Sequence, residues 1–167
     1  MKQTLKYIYS VVFDNLKFAE GKHTLILTLS SAVLAFATTF FSNNLTQNLF
    51  AISSIIFALI AILYSFVALV ARKVRSKQKS VNGNESLVYY KHIMRFDEKG
   101  YIEAIRKKYG FGHIYKPDAL DYDLAKQIIS ASKIAWIKFI YFNFAVFFLI
   151  ASIACIIFTV LIRGQIW

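Results

Sequence analysis

Apolar positions along this chain follow two arrangements. In the first they recur at helical spacing among charges. Residues 2–20 contain no Gly or Pro, and Leu5, Ile8, Val12, Leu16 and Ala19 recur every three or four positions, which predicts an amphipathic helix. In the second arrangement the charges vanish. No Asp, Glu, Lys or Arg occurs from Thr24 to Ala71, a run of 48 residues, nor from Phe139 to Ile162, a run of 24. A helix needs roughly 20 apolar residues to cross a bilayer. The first run is long enough for two crossings and a turn, the second for one.

The turn falls at SNNLTQN, residues 42–48, the polar cluster of the first run. Spans are therefore predicted at 24–41, 49–71 and 139–162. Gly21 is expected to separate or bend the N-terminal helix from the first span. The second span has no breaker at its end and can continue through RKVRSKQKS, with VNGNES (residues 81–86) as the stop signal. LVYYKHIMRF and YIEAIRKKY then read as two short helices, and Gly110, Gly112 and Pro117 mark an irregular stretch. From Asp118 to Arg163 there is again no Gly or Pro, and Asp118 and Asp121 suit a helix start. One helix of more than 40 residues is expected there, its first ~20 residues extending some ~30 Å from the membrane.

Composition agrees with a membrane protein: 57% of residues are hydrophobic and 17% charged, with a mean hydropathy of +0.51, against about 25% charged in soluble domains. The net charge of +11 matters less than its placement. Four basic residues lie in 1–23 and fifteen in 72–138, none in the 42–48 turn and one, Arg163, after the last span; all nine acids share the basic side. The positive-inside rule puts that side in the cytoplasm, with the N-terminus inside. The predicted fold class is an all-α membrane protein. It comprises a cytoplasmic helix (1–23), a transmembrane hairpin (24–71), a cytoplasmic helical sensor region (72–138), a third span (139–162) and a short outer tail (163–167). Trp136 and Trp167 flank the third span as interfacial anchors would. The AFA tripeptide after Leu34 resembles a signal cleavage site, but Asp14 and Glu20 do not suit a signal n-region, so the leader is read as retained.

Candidate chemistry is sparse. His23, His92 and His113 are scattered without metal-ligand spacing, and no phosphate loop, dinucleotide fingerprint or nucleophile elbow occurs. No catalytic residue, metal or cofactor is therefore expected, and the chain is read as not an enzyme. Cys155 sits mid-span and reads as a small buried apolar residue. Ser30, Ser31, Thr38, Thr39, Ser53, Ser54 and Ser65 fit close helix packing, or else a polar seam lining a pore in an oligomer. Arg72, Lys73, Arg75, Lys77 and Lys79 fit a topological signal with attraction to anionic lipid. Lys107, Lys108 and Arg106 can complement a helix C-terminus; alternatively, with Arg95, Tyr89, Tyr90, His92 and Tyr109, they can hold a phosphorylated ligand by neutralising phosphate and stacking a base. Glu20 and Lys22 stand at the doorstep of the first span, where Lys133 and Lys138 arrive at similar depth on the third. Glu20 paired with either lysine would tie the two spans in a way that differs between states of a gate.

Three blocks also resemble a known family. FAEGKHTLILTLSSAVLA (18–35) is similar to the first-span signature of the Pycsar transmembrane effector family, F-A-[DE]-x-K-x followed by a span rich in small residues, with Phe18, Ala19, Glu20 and Lys22 falling on it. ESLVYYKHI (85–93) resembles the family's aromatic segment after span two. AKQIISASKIAWIKF (125–139) resembles its stretch before span three, matching at Lys138 and Phe139. The order of the blocks agrees from about residue 11 to 160. Glu20 stands where Asp is usual, Gly21 and His23 replace commoner small residues, and no separate cyclic-nucleotide-binding domain is recognisable.

The resemblance implies an antiphage effector of the bacterial inner membrane. Its ligand would be a cyclic nucleotide, a cyclic pyrimidine mononucleotide being favoured, and its action would impair the membrane and abort the infection. Its partners would be that ligand, the lipid bilayer and further copies of itself in a homo-oligomer, since three spans enclose too little for a sizeable pore; no DNA or RNA is expected. A reading from another class is a non-enzymatic accessory or structural subunit of a different membrane complex. Genomic adjacency to a nucleotide cyclase distinguishes the two.

Overall fold

The computed structural model describes residues 1–41, 45–70, 86–112 and 115–164, leaving aside the side chains of 163 and 164. The basic run 72–79, most of the VNGNES stop, His113, the Arg163 side chain and Trp167 lie outside the described residues. Among the described residues there are five α-helices and no strand: α1 (Lys2–Ala37), α2 (Leu45–Leu69), α3 (Tyr90–Ile93), α4 (Glu98–Lys108) and α5 (Ala119–Gly164), with a 3-10 turn at Thr38–Phe40 after α1. Two departures from the sequence expectation stand out. α1 does not stop at Gly21, and residues 45–48 of the expected turn already belong to α2. A single glycine costs a helix interior only about 1 kcal/mol, less than the packing on either side of it returns.

The chain divides into two compact units. The first comprises Met1–Ala19 and Ala71–Ile137, the second Glu20–Val70 and Lys138–Trp167. α1 and α5 therefore each supply residues to both.

The first unit has a water-soluble kind of core. Leu5, Ile8 and Val12 of α1 pack with Ile93, Phe96, Tyr101, Ile102 and Ile105, and with Ala125, Ile128 and Ile129 of α5. Each fully buried aliphatic side chain contributes about 1.5–3 kcal/mol. Tyr101 carries its hydroxyl into this core and donates to the Leu87 carbonyl at 2.7 Å. Burial raises its phenol well above the ordinary range. α4 is closed at both ends. Asp97 caps its start by accepting from the Gly100 N–H at 3.2 Å. At its end the Phe111 N–H reaches the Arg106 carbonyl, with Gly110 left-handed at φ 72°, a Schellman closure that glycine adopts without strain. α5 starts in a reciprocal box: Asp118 accepts from the Asp121 N–H and Asp121 from the Asp118 N–H. Tyr115 donates to Asp121, and Lys2 pairs with Asp118 at 2.6 Å. The Lys2 ammonium holds the Asp118 carboxyl below its usual range.

The second unit inverts that logic. The buried residues of α2 are Gln47, Ala51, Ser54, Ala58, Ala61, Ser65 and Ala68, a strict alternation of four- and three-residue steps in which no large apolar side chain appears. Its exposed residues include Leu49, Ile52, Ile56, Leu59, Leu63 and Phe66. Small and hydroxylated residues inside with large apolar ones outside is the arrangement of helices whose surroundings are lipid. The same steps recur at Ala145, Leu149, Ser152, Ile156 and Thr159 of α5. Ile26, Ala61, Ala145 and Leu149 form one buried cluster, and Ala37, Phe40, Ala51 and Ile156 another. Numbers on α2 fall as those on α1 and α5 rise, so α2 runs antiparallel to both. Ser54 and Ser152 meet at 2.9 Å, and Ser152 also donates to the Ser54 carbonyl. Ser31, Thr38, Thr39 and Ser53 face outward, each hydroxyl returned to a carbonyl of the preceding turn. Three helices, Lys2–Phe40, Leu45–Leu69 and Ala119–Ile162, are long and apolar enough to cross a membrane.

Candidate functional site

Polar side chains that could act rather than only pack occur in both units. In the second unit, α1 presents Glu20 and His23, three residues apart and so on one helix face, to Lys138 of α5. The Lys138 ammonium bonds Glu20 Oε1 at 2.5 Å; the lysine side chain is 4% exposed and the glutamate 46%. The Lys138 carbonyl can only accept, so the His23 Nε2 that lies 2.9 Å from it carries the hydrogen. Phe142 meets the His23 ring edge-on, and the Lys22 ammonium lies 4.9 Å from the Phe142 centroid and 5.5 Å from that of Phe139. α1 and α5 are thus held by a charge-assisted bond, a side-chain-to-backbone bond and cation–π contact at one level. This arrangement can hold or release a helix pair. It contains no nucleophile placed against a base. Groups of three or more metal-ligating side chains are absent among the described residues.

In the first unit the structure distributes the residues read as ligand-binding over three places. Tyr89, Tyr90 and His92 form an aromatic group at α3: the tyrosine rings are 4.7 Å apart, and His92 lies edge-on to Tyr89 at 5.3 Å. His92 Nδ1 accepts from the Ser86 N–H. Trp136 joins the group, 6.5 Å from Tyr90 and capped by Lys91 at 4.9 Å, so it packs within this unit. Arg106 donates from Nε and Nη2 to the Gly112 carbonyl, securing the turn after α4. Lys107 and Lys108 are exposed on the last turn of α4. Arg95 lines a cleft of about 570 Å³ between residues 94–99 and α5, together with Lys99, Lys126 and Lys133.

Lys133 is thus a wall of the cleft, while Lys138 is the lysine paired with Glu20. Lys99, Lys126 and His23 enter neither reading of the sequence. The signal for Lys126 lay in the spacing of Lys126, Ser130 and Lys133, four and three residues apart on one face of α5, whereas Lys99 carried none. His23 carried no signal beyond its position beside Lys22.

The model of the Pycsar effector protein domain covers residues 4–164. No curated protein and no solved structure matches the chain.

Proposed function

The chain belongs to the Pycsar effector family, antiphage defence proteins with a transmembrane domain, and from that premise we propose that a cyclic nucleotide switches it on and that the response impairs the inner membrane. It is a multi-pass inner-membrane protein. The supporting observation is that α1 and α5 each belong to both units. Leu5, Ile8 and Val12 of α1 and Ile128 of α5 build the water-soluble core, while Ile26 and Ala37 of α1 and Ala145 of α5 build the membrane bundle. A ligand that prefers one packing of the first unit acts on helices that themselves cross the bilayer, and the shift equals its differential affinity for the two arrangements.

In this reading the basic side faces the cytoplasm, where a cyclase product would accumulate, and a cyclic pyrimidine mononucleotide is the favoured ligand. Several copies assemble, because a bundle of three spans with a packed interior has no room for a conduit of its own. The Glu20–Lys138 pair and Lys22 sit where the joined helices enter the second unit, the place at which opening would be resisted. The function ends in death of the infected cell before phage mature. Co-expression with a pyrimidine cyclase, read with a potential-sensitive dye, tests this. Depolarisation that requires both proteins is expected; full membrane potential with the effector inserted and the cyclic nucleotide present would overturn it.

A further inference from the structure

We propose that the cleft between residues 94–99 and α5 is the ligand site, built for a heterocycle carrying a single phosphodiester charge. This rests on the reading that a cyclic nucleotide activates the chain. The cleft has two chemistries. Met94, Phe96 and Ile129 give it an apolar floor, Phe96 being 9% and Ile129 5% exposed. Arg95 and Lys99 stand on one wall and Lys126 and Lys133 on the other. A phosphate between the walls is bonded by cations from two chain segments, while a flat ring covers the floor and turns a polar edge to the Ser130 hydroxyl. Lys126 and Lys133 are roughly 10 Å apart along the axis of α5 at 1.5 Å per residue, a separation that lets one hold phosphate while the other meets the far end of a nucleotide. At about 570 Å³ the cleft falls within the usual range for small-ligand sites.

The charge balance narrows the class further. Asp97 and Glu98 also line the cleft, so four cations face two carboxylates and a surplus of two positive charges remains. Asp97 is fixed in place by its bond to the Gly100 N–H. A monoanion profits from the cations without meeting the acids. A nucleoside triphosphate, with three or four negative charges, brings some of them against Asp97 and Glu98 and is disfavoured. Binding draws the 94–99 segment and α5 together within the first unit, so the ligand acts directly on a helix that continues into the bundle.

Isothermal titration of the detergent-purified full chain tests this, with cyclic CMP, cyclic UMP and CTP as titrants. The wild type is expected to bind one of the cyclic nucleotides more tightly than CTP. Lys126→Gln with Lys133→Gln should weaken it at least about tenfold while leaving the helical circular dichroism intact. Lys126→Arg with Lys133→Arg should stay within a few-fold of wild type, as should Lys6→Gln, an exposed lysine on α1 outside the cleft. Wild-type affinity in the double glutamine variant would overturn the site and leave the activation reading standing. Binding of neither cyclic nucleotide by wild type would overturn both. Tighter binding of CTP would overturn the charge argument. Loss of the cyclic-nucleotide signal when phosphatidylglycerol is added to the micelles would assign the cleft to a lipid headgroup and overturn the proposal.

Discussion

Changing Glu20 to Gln and changing Lys138 to Met both break the same ion pair, and the structure predicts unequal costs. The lysine side chain is 4% exposed and the glutamate 46%. Glu20→Gln leaves an ammonium with almost no access to water and without its counter-charge. For a fully buried pair that loss runs to about 3–5 kcal/mol. Water reaches the glutamate side, and the lysine stem has some freedom to carry its head outward, so on the order of 2 kcal/mol is expected here. Lys138→Met removes the buried charge itself and keeps the length of the stem. The carboxylate left behind is half in water and re-solvates, for a cost of about 0–1 kcal/mol. Once Lys138 is Met, adding Glu20→Gln should cost almost nothing further. The assay is thermal unfolding of the four detergent-purified proteins, followed by circular dichroism. At about 2–4 °C per kcal/mol for a chain of this size, Glu20→Gln should lower the midpoint by about 4–8 °C, Lys138→Met by less, and the double variant should match Lys138→Met. If Lys138→Met costs as much as Glu20→Gln, or the two effects add, the pair is not held by the need to neutralise a buried lysine. A separate measurement bears on gating: unchanged cyclase-dependent killing by Glu20→Ala at wild-type expression would remove the pair from the switch.

Three other outcomes follow from particular contacts. A Cβ on Gly100 would lie 2.6 Å from Asp97 Oδ1, so Gly100→Ala displaces the cap. It should fail to return the ~1 kcal/mol that Ala normally gains over Gly in a helix, yet stabilise an Asp97→Ala background, where no cap is left to lose; thermal midpoints decide this. Tyr101 should resist ionisation, because burial raises its phenol. An ultraviolet titration should find it protonated when exposed tyrosines ionise near pH 10, and the stability it contributes, complete below pH ~10, should fall as the pH rises above that value. In the bundle, Ala61→Leu overfills a small-residue seam and should cost about 1–3 kcal/mol, whereas Leu63→Ala, on a residue 64% exposed, should cost much less in detergent. Equal costs would mean the inside-small, outside-large arrangement is wrong.

How much of this was legible beforehand depended on the range of the physics. The charge-free runs 24–71 and 139–162 announce spans because one buried charge in lipid is costly enough to be excluded from the sequence. The long α5 announces itself by the missing Gly and Pro. The Asp118–Asp121 box was readable as a helix start, being local. Sidedness was not readable: Ser53 and Ser54 are neighbours, and only packing decides that Ser54 meets Ser152 while Ser53 turns back on its own helix. Gly21 looked like a break because local propensity was weighed without the tertiary packing on either side of it. The basic cleft joins residues 94–99 to 126–133, and with the charges so far apart in the chain nothing in the sequence brought Arg95, read as a phosphate ligand, together with Lys133, read as a gate lysine, or either with Lys99 and Lys126. Conversely, Arg106 had the look of a phosphate ligand beside two lysines, and the structure engages it with the Gly112 carbonyl. The Glu20–Lys138 partnership was open between Lys133 and Lys138 because both lie on the same long helix; the structure shows the bond to Lys138.

The central claim is that a small cyclic nucleotide makes this bundle breach a membrane, and purified components test it most directly. The protein is reconstituted into liposomes carrying a potassium diffusion potential, with cyclic CMP or cyclic UMP supplied on both faces. The account predicts collapse of the potential only with protein and one of these nucleotides together, and a much weaker response from Lys126→Gln/Lys133→Gln. A potential that persists while titration shows the nucleotide bound to the same preparation would contradict it.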